Sequence, residues 1–111
     1  MTGSGWERVC RLDLLRPGRG VAALVGGRQV ALFRVGGLDA VYAIDNVDPC
    51  SGAAVLSRGV VGDRGGEPMV ASPLYKQAFS LVSGRCLDEP ERSVAVHRVR
   101  LSDGWVQVEV R

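Results

Sequence analysis

The residues that could bind a metal or act as nucleophiles are few. The 111-residue chain has one histidine and three cysteines, namely His97, Cys10, Cys50 and Cys86. In number and type they match a three-cysteine, one-histidine zinc site. However, no two of them form the short C-x-x-C spacing that pre-organises such sites, so we expect no metal. His97 has no serine or cysteine partner in a recognisable nucleophile motif, and we expect a structural or surface histidine.

A glycine-rich string is a second candidate for chemistry. Residues 18–23 read G-R-G-V-A-A and match the dinucleotide-binding fingerprint G-x-G-x-x-A. That fingerprint binds a pyrophosphate only where it follows a strand and opens a helix, because the amides at the helix N-terminus receive the phosphates. Here the string runs into a valine-rich segment, so we predict a turn after Pro17. P-loop, nucleophile-elbow and paired-carboxylate motifs are missing from the sequence, and we predict no catalytic residue in the chain.

Composition and charge narrow the class of protein. The net charge of +2 is too small to indicate a nucleic-acid partner, and the sequence holds no basic run. No apolar run approaches the ~18 residues of a membrane helix or the ~7–15 of a signal peptide core. We therefore predict a cytoplasmic protein with no membrane partner and with reduced thiols. The short polar stretch at residues 2–5 predicts a flexible leader over residues 1–5, and the length and the 46% hydrophobic content predict one domain over residues 6–111.

The positions of the glycines predict an all-β fold. Glycine accounts for 15 residues, roughly double its typical share. Short β-rich segments lie between glycine turns at residues 21–25, 29–35, 41–44, 60–61, 69–71 and 106–110. One such turn is Gly36-Gly37, and the glycine-rich residues 62–66 predict the centre of a hairpin. A slip in the alternation between Val96 and Val99 predicts a bulge or a strand buried on both faces. Only residues 12–15 could form a helical turn. The pattern indicates one small antiparallel β-sandwich or barrel.

Two irregular stretches, residues 46–59 and 72–77, interrupt the strands. Loops of this kind inside a compact domain are more often functional than idle. The second stretch resembles the second ligand loop of Rieske domains, which commonly reads C-P-x-H-G-x-x-F and precedes a glycine turn. Pro73, Phe79 and Gly84 match this pattern. Ser72, however, stands at the cysteine position and Tyr75 at the histidine position.

The first stretch resembles the other Rieske ligand loop, which carries C-x-H. One alignment places Asp48 at the cysteine position and Cys50 at the histidine position. A shift by one residue places Pro49 and Ser51 there instead, and the sequence leaves both alignments open. A Rieske cluster takes two cysteines on one iron and two histidines on the other. In either alignment the ligand set is incomplete, so the resemblance implies a Rieske-like fold that lacks the [2Fe-2S] cluster.

Four segments resemble one family in particular, the small subunits of assimilatory NAD(P)H-dependent nitrite reductases. They are residues 29–34, 42–49, 56–63 and 72–79, and the resemblance runs from Trp6 to Val110. It implies a Rieske-like antiparallel β-sandwich or barrel with two inserted loops. It also implies a noncatalytic small subunit of a cytoplasmic enzyme that reduces nitrite to ammonium. The large subunit, its partner, is expected to carry FAD, an iron–sulfur cluster and sirohaem and to use NAD(P)H, whereas this chain binds no cofactor.

By analogy with cluster-bearing relatives, the loop tips would form the contact with the large subunit. Apolar and aromatic residues would anchor it and one lysine would steer association: Pro49, Cys50, Pro73, Leu74, Tyr75 and Lys76. We also expect the side chains of Ser72 and Tyr75 to pack or hydrogen-bond where a cluster would lie. The alternative function is a stand-alone protein-binding module that kept a Rieske-like fold without a redox role.

Overall fold

The computed structural model describes residues 5–35 and 40–110, and within them the chain consists almost entirely of β-strands and loops. Two 3-10 helices cover Leu12–Leu14 and Leu56–Arg58. The ten strands are β1 (Gly5–Arg11), β2 (Gly20–Val25), β3 (Arg28–Val35), β4 (Ala40–Asp45), β5 (Val60–Arg64), β6 (Glu67–Ala71), β7 (Ala78–Ser80), β8 (Val96–His97), β9 (Val99–Ser102) and β10 (Trp105–Val110).

The strands form three antiparallel sheets. We call them the terminal sheet (order β1-β10-β9), the central sheet (β2-β3-β4-β8) and the loop sheet (β5-β6-β7). Both ends of the described chain meet in the terminal sheet, where Gly5 pairs with Val110. The all-β antiparallel prediction is thereby confirmed. Among residues 5–35 and 40–110, neither of the two short 3-10 helices has the length or hydrophobicity of a membrane-spanning helix.

The middle of β3 in the central sheet is buried on both faces, since alternate side chains of a strand point to opposite sides and each side meets another sheet. Along β3, Ala31 and Phe33 belong to a core cluster shared with the loop sheet, which we call the first core. Val30 and Leu32 belong to a second core shared with the terminal sheet. The near-continuous apolar run of β3 follows from this double burial. Each fully buried large side chain stabilises the fold by about 1.5–3 kcal/mol.

The structure refines several predictions about individual elements. The helical turn predicted at residues 12–15 is present as the first 3-10 helix. The β5–β6 hairpin is longer than its glycine-rich centre suggested, and its turn shrinks to Gly65-Gly66. Both glycines have positive φ, 62° and 91°, as a type I′ turn requires. The turn predicted at Gly36-Gly37 lies outside the described residues, as do residues 1–4 of the leader.

Two predictions need correction. Gly5, which we placed in the leader, is the first residue of β1. The slip between Val96 and Val99 marks a change of sheet rather than a bulge in one strand. β8 pairs with β4 in the central sheet, whereas β9 pairs with β10 in the terminal sheet. The alternation of inward-facing side chains shifts at Arg98, because the chain leaves the first core there and joins the second.

Candidate functional site

The first loop, residues 46–59, is closed by the buried side chain of Asn46. Its Oδ1 accepts a 2.7 Å hydrogen bond from the amide of Ser57, near the far end of the loop. Its backbone carbonyl accepts a 3.0 Å bond from the amide of Leu56, which is fully buried in the first core. The two ends of the loop are therefore held together by one asparagine, and the residues between them project from the sheet.

Asp48 shapes the tip of this loop. Its Oδ1 accepts a 2.8 Å hydrogen bond from the amide of Cys50, an Asx turn of the kind that replaces a backbone turn. Its own amide donates to the carbonyl of Ala53 at 2.8 Å, and its carbonyl accepts from Gly52 at 2.7 Å. The side chain of Asp48 is fully buried. A buried carboxylate requires several donors, and the loop supplies the first of them.

The second donor to Asp48 comes from the other loop. The hydroxyl of Ser72 donates to Oδ2 of Asp48 at 2.6 Å, and Ser72 is 1% exposed. Ser72 also organises its own loop, since its carbonyl accepts from the amide of Lys76 at 2.9 Å. Lys76 has a positive φ of 63°, which closes this tight turn. At 2.6 Å this is a short hydrogen bond between two buried side chains, and it joins the two tips.

A segment after β7 accepts hydrogen bonds from the end of the second loop. The side-chain amide of Gln77 donates to Glu89 at 2.6 Å, and the amide of Ala78 donates to the carboxylate of Asp88 at 2.8 Å. Arg64 of β5 also contacts Asp88 at 3.1 Å. The hydrogen bond from the backbone amide of Ala78 is the largest cause that lowers the pKa of the Asp88 carboxyl, and the Arg64 guanidinium is the next. No motif in the sequence pointed to these acidic residues.

The residues predicted as a partner contact lie mostly at the surface of the two tips. Leu74 and Tyr75 are 51% and 62% exposed, and Val47, which the sequence did not single out, is 40% exposed. Pro49, Pro73 and Lys76 are exposed as well. Because the bond between Asp48 and Ser72 joins the loops, we call these six residues together the tip surface. Cys50 lies apart from them, since its side chain packs partly buried against the first core.

This arrangement corrects one expectation. Ser72 does hydrogen-bond inside the joined loops, but Tyr75 does not fill the space beside it. The tyrosine is exposed because the tight turn at Lys76 carries residues 73–76 outward from the buried serine. Sequence spacing could not show this, since it depends on the local backbone path.

The side chains in the two loops do not fit a Rieske cluster. Such a cluster needs two thiolates and two imidazoles, whereas Asp48 and Ser72 satisfy each other as hydrogen-bond partners. Burial, and after it the charge of Asp48, raises the pKa of the Cys50 thiol, which disfavours a thiolate. The histidine is engaged elsewhere, with Nε2 of His97 2.8 Å from Oδ1 of Asp45. Across residues 5–35 and 40–110, no group of three or more His, Cys, Asp or Glu side chains could hold a metal ion.

The other candidates from the sequence are not brought together. Cys10 packs against the second core, whereas Cys86 is buried in the first. The G-R-G string forms the predicted turn. The amides of Gly18 and Arg19 donate to the carbonyls of Arg34 and Arg16, at 3.3 and 3.0 Å, and β2 follows at once. These amides are therefore not free to receive a pyrophosphate.

Comparison with known proteins agrees with this architecture. The sequence profile of the Rieske-like [2Fe-2S] domain family matches residues 5–109, and the chain belongs to that family. Within it the chain is a nitrite reductase small subunit by similarity. The nitrite reductase (NADH) small subunit of Salmonella typhimurium is 48% identical over 105 residues, which cover 95% of this chain and 97% of that one.

A solved structure and a longer relative extend the comparison. A crystal structure from Mycobacterium tuberculosis, assigned as an NADH-dependent nitrite reductase small subunit, has 53% identity and a TM-score of 0.93. The match covers 97% of this chain and 96% of that one. A Klebsiella oxytoca protein named nitrite reductase [NAD(P)H] large subunit is 50% identical over 103 residues. That match covers 93% of this chain but 11% of the longer protein.

Proposed function

We propose that this chain is the noncatalytic small subunit of a cytoplasmic NAD(P)H-dependent nitrite reductase that reduces nitrite to ammonium during assimilation. Its partner is a large subunit that holds FAD, an iron–sulfur cluster and sirohaem. The chain contributes a binding surface to the complex and carries no redox centre. In this role the tip surface contacts the large subunit, and the apolar side chains of Leu74 and Tyr75 anchor the contact.

The similarity to nitrite reductase small subunits supports the choice of enzyme, and the buried hydrogen bond between Asp48 and Ser72 supports a subunit without a redox centre. We infer that these two residues occupy the positions of the two cysteines that share one iron in a Rieske cluster, and that Cys50 and Tyr75 occupy the histidine positions. Two ligands of one iron must lie close together, and the 2.6 Å contact supports this alignment over the one that uses Pro49 and Ser51. The bond replaces the cluster as the connection between the loops.

The Klebsiella oxytoca relative supports the choice of partner. A protein named as a large subunit contains a stretch similar to almost this entire chain. Such a domain is covalently part of a large subunit in one protein and a separate small subunit in another. We expect it to act at the same place in both. Covalent attachment raises the effective concentration of the domain, whereas a separate subunit needs a surface with sufficient affinity.

The proposal is tested by co-expressing this chain, carrying an affinity tag, with the large subunit of the same organism. We expect the two to co-purify and NADH- or NADPH-dependent nitrite reduction to rise when this chain is present. The matched control is the large subunit expressed alone and purified in the same way. Failure of both co-purification and any gain in activity would contradict the proposal and favour the stand-alone binding module.

A further inference from the structure

The outer face of the terminal sheet carries both tryptophans of the chain, Trp6 on β1 and Trp105 on β10. Strand register places arginines around them: Arg11 lies opposite Trp105, and Arg8 and Arg100 lie on either side of Gln107. We call Trp6, Arg8, Arg11, Arg100 and Trp105 the arginine–tryptophan face. The neighbouring β10 side chains Val106 and Val108 point the other way and are fully buried in the second core.

All three arginines of this face stack on an indole ring. The guanidinium carbons of Arg8 and Arg11 lie 5.1 and 5.6 Å from the centroid of Trp105. That of Arg100 lies 4.5 Å from the centroid of Trp6, and its Nε donates to Gln107 at 2.6 Å. These distances are within the range of cation–π attraction.

Stacking prepares these arginines to bind carboxylates. A guanidinium over an aromatic ring directs its N–H donors away from the ring face, and it is weakly hydrated, so a partner loses little by displacing its water. Two of these arginines use one donor within the chain, since Arg11 Nε lies 3.8 Å from Oδ1 of Asp13 and Arg100 Nε donates to Gln107, and the other donors are available to a partner. Exposed Arg98 lies at the register position of Glu109, which itself pairs with Trp6, so a fourth cation and one carboxylate also lie on this side of the sheet. Tryptophan and arginine are also the residue types that most often dominate binding at protein interfaces.

The position of the chain ends indicates which protein this face meets. Gly5 pairs with Val110, so a connection to a longer polypeptide at either end starts from the terminal sheet. In the Klebsiella oxytoca large subunit the matching stretch is part of one longer chain. The sheet that bears the arginine–tryptophan face is therefore the one from which that chain continues into the rest of the large subunit.

We propose that the arginine–tryptophan face docks onto a carboxylate-rich surface of the nitrite reductase large subunit, as a contact separate from the tip surface. This inference rests on the proposed function, because it takes the large subunit as the partner. The carboxylates pair with the outward edges of Arg8, Arg11 and Arg100, and docking covers the two indole rings. Since the contact is ionic, its affinity falls with added salt.

The two tryptophans provide a direct readout. The small subunit is labelled with 5-fluorotryptophan and mixed with unlabelled large subunit, and a soluble paramagnetic probe is added. We expect the paramagnetic broadening of both fluorine resonances to fall at least threefold in the complex. A complex in which both resonances stay as accessible as in the free protein would overturn this inference alone. No complex at all with the wild-type chain would overturn the proposed function, and this contact with it.

A charge-matched pair of variants tests the energetics. The triple variant Arg8→Ala, Arg11→Ala, Arg100→Ala is compared with Arg19→Ala, Arg58→Ala, Arg85→Ala, which removes three exposed arginines elsewhere. We expect the first to raise the Kd for the large subunit at least tenfold and to flatten its salt dependence, and the second to change it less than threefold. Circular dichroism verifies that both variants fold. Equal effects of the two variants would overturn the proposal.

Discussion

The hydroxyl of Ser72 donates a 2.6 Å hydrogen bond to the carboxylate of Asp48, 24 residues earlier, and both side chains are buried. The bond connects two loops that leave different sheets, one after β4 and the other after β6. In a cluster-bearing Rieske domain the iron–sulfur centre makes that connection. Here a hydrogen bond between two side chains of the same chain holds the loops in a defined arrangement. Their tips present Leu74 and Tyr75 to solvent.

Removing the serine hydroxyl tests how much this bond stabilises the fold. Ser72→Ala leaves the buried carboxylate of Asp48 with one donor fewer, so the free energy of unfolding should fall by about 1–3 kcal/mol. Urea denaturation measures the loss. The exposed Ser102→Ala on β9 is the control, with an expected change within about 0.5 kcal/mol. Equal stability of the two variants would show that the bond does not hold the loops.

Restoring the four ligand positions tests the alignment of the first loop. The variant Asp48→Cys, Cys50→His, Ser72→Cys, Tyr75→His places two thiolates where the 2.6 Å contact now lies. We expect it to incorporate iron and sulfide on reconstitution and to show the absorption of a [2Fe-2S] centre. The control moves the first pair by one residue, to Pro49→Cys and Ser51→His, and keeps the second pair. If only the control took up the cluster, the alignment that pairs Asp48 with Ser72 would be wrong.

A charge placed in the tip surface should weaken binding to the large subunit. Leu74→Asp replaces a half-exposed anchor by a carboxylate that the interface would desolvate, and we expect the Kd to rise at least tenfold, or about 1.4 kcal/mol. Leu24→Asp is the matched control, because Leu24 is 67% exposed on β2 and outside the tip surface. Surface plasmon resonance with immobilised large subunit compares the two. Similar Kd values would exclude Leu74 from the contact.

The lowered pKa of Asp88 predicts a pH-dependent contribution to stability. A carboxyl whose pKa is lower in the folded than in the unfolded state stabilises fully above the unfolded value, about 3.9. This contribution is lost as the pH falls through the folded pKa. Asp88→Asn should therefore be less stable than wild type near neutral pH, and the difference should shrink below about pH 4. Urea midpoints measured from pH 2.5 to 7 test this.

Asp103→Asn is the control for that titration, because asparagine tolerates the positive φ of 52° at this position. Its difference from wild type should stay small at every pH. A difference for Asp88→Asn that remained constant down to pH 2.5 would mean that the amide of Ala78 and Arg64 do not depend on the ionised carboxylate.

Much of this architecture follows from local patterns, and the remainder depends on contacts across the chain. Alternating valines predict β10, and the loops at residues 46–59 and 72–77 stand out because they lack a period. The bond between Asp48 and Ser72 could not be predicted, since it requires the relative position of two sheets. The roles of Asp88 and the exposure of Tyr75 were missed for the same reason. The available signal was that, in one of the two alignments, the polar residues Asp48 and Ser72 stand at the expected cysteine positions. This signal identified the two loops but could not show how they lie relative to each other.

The same limit applies to the outer face of the terminal sheet. Trp6 and Trp105 lie at opposite ends of the sequence, and nothing local indicates that they share a face. Strand pairing between β1 and β10 brings them together, and the register with β9 adds Arg100.

The central claim is that this chain supports nitrite reduction without a redox centre of its own. One measurement tests it most directly: iron and acid-labile sulfide are quantified in the purified small subunit, and the same preparation is added to the large subunit in a nitrite reduction assay. We predict no stoichiometric iron or sulfide, together with complex formation and a gain in activity. About two irons per chain, as expected for a [2Fe-2S] centre, with activity proportional to iron content, would contradict the account.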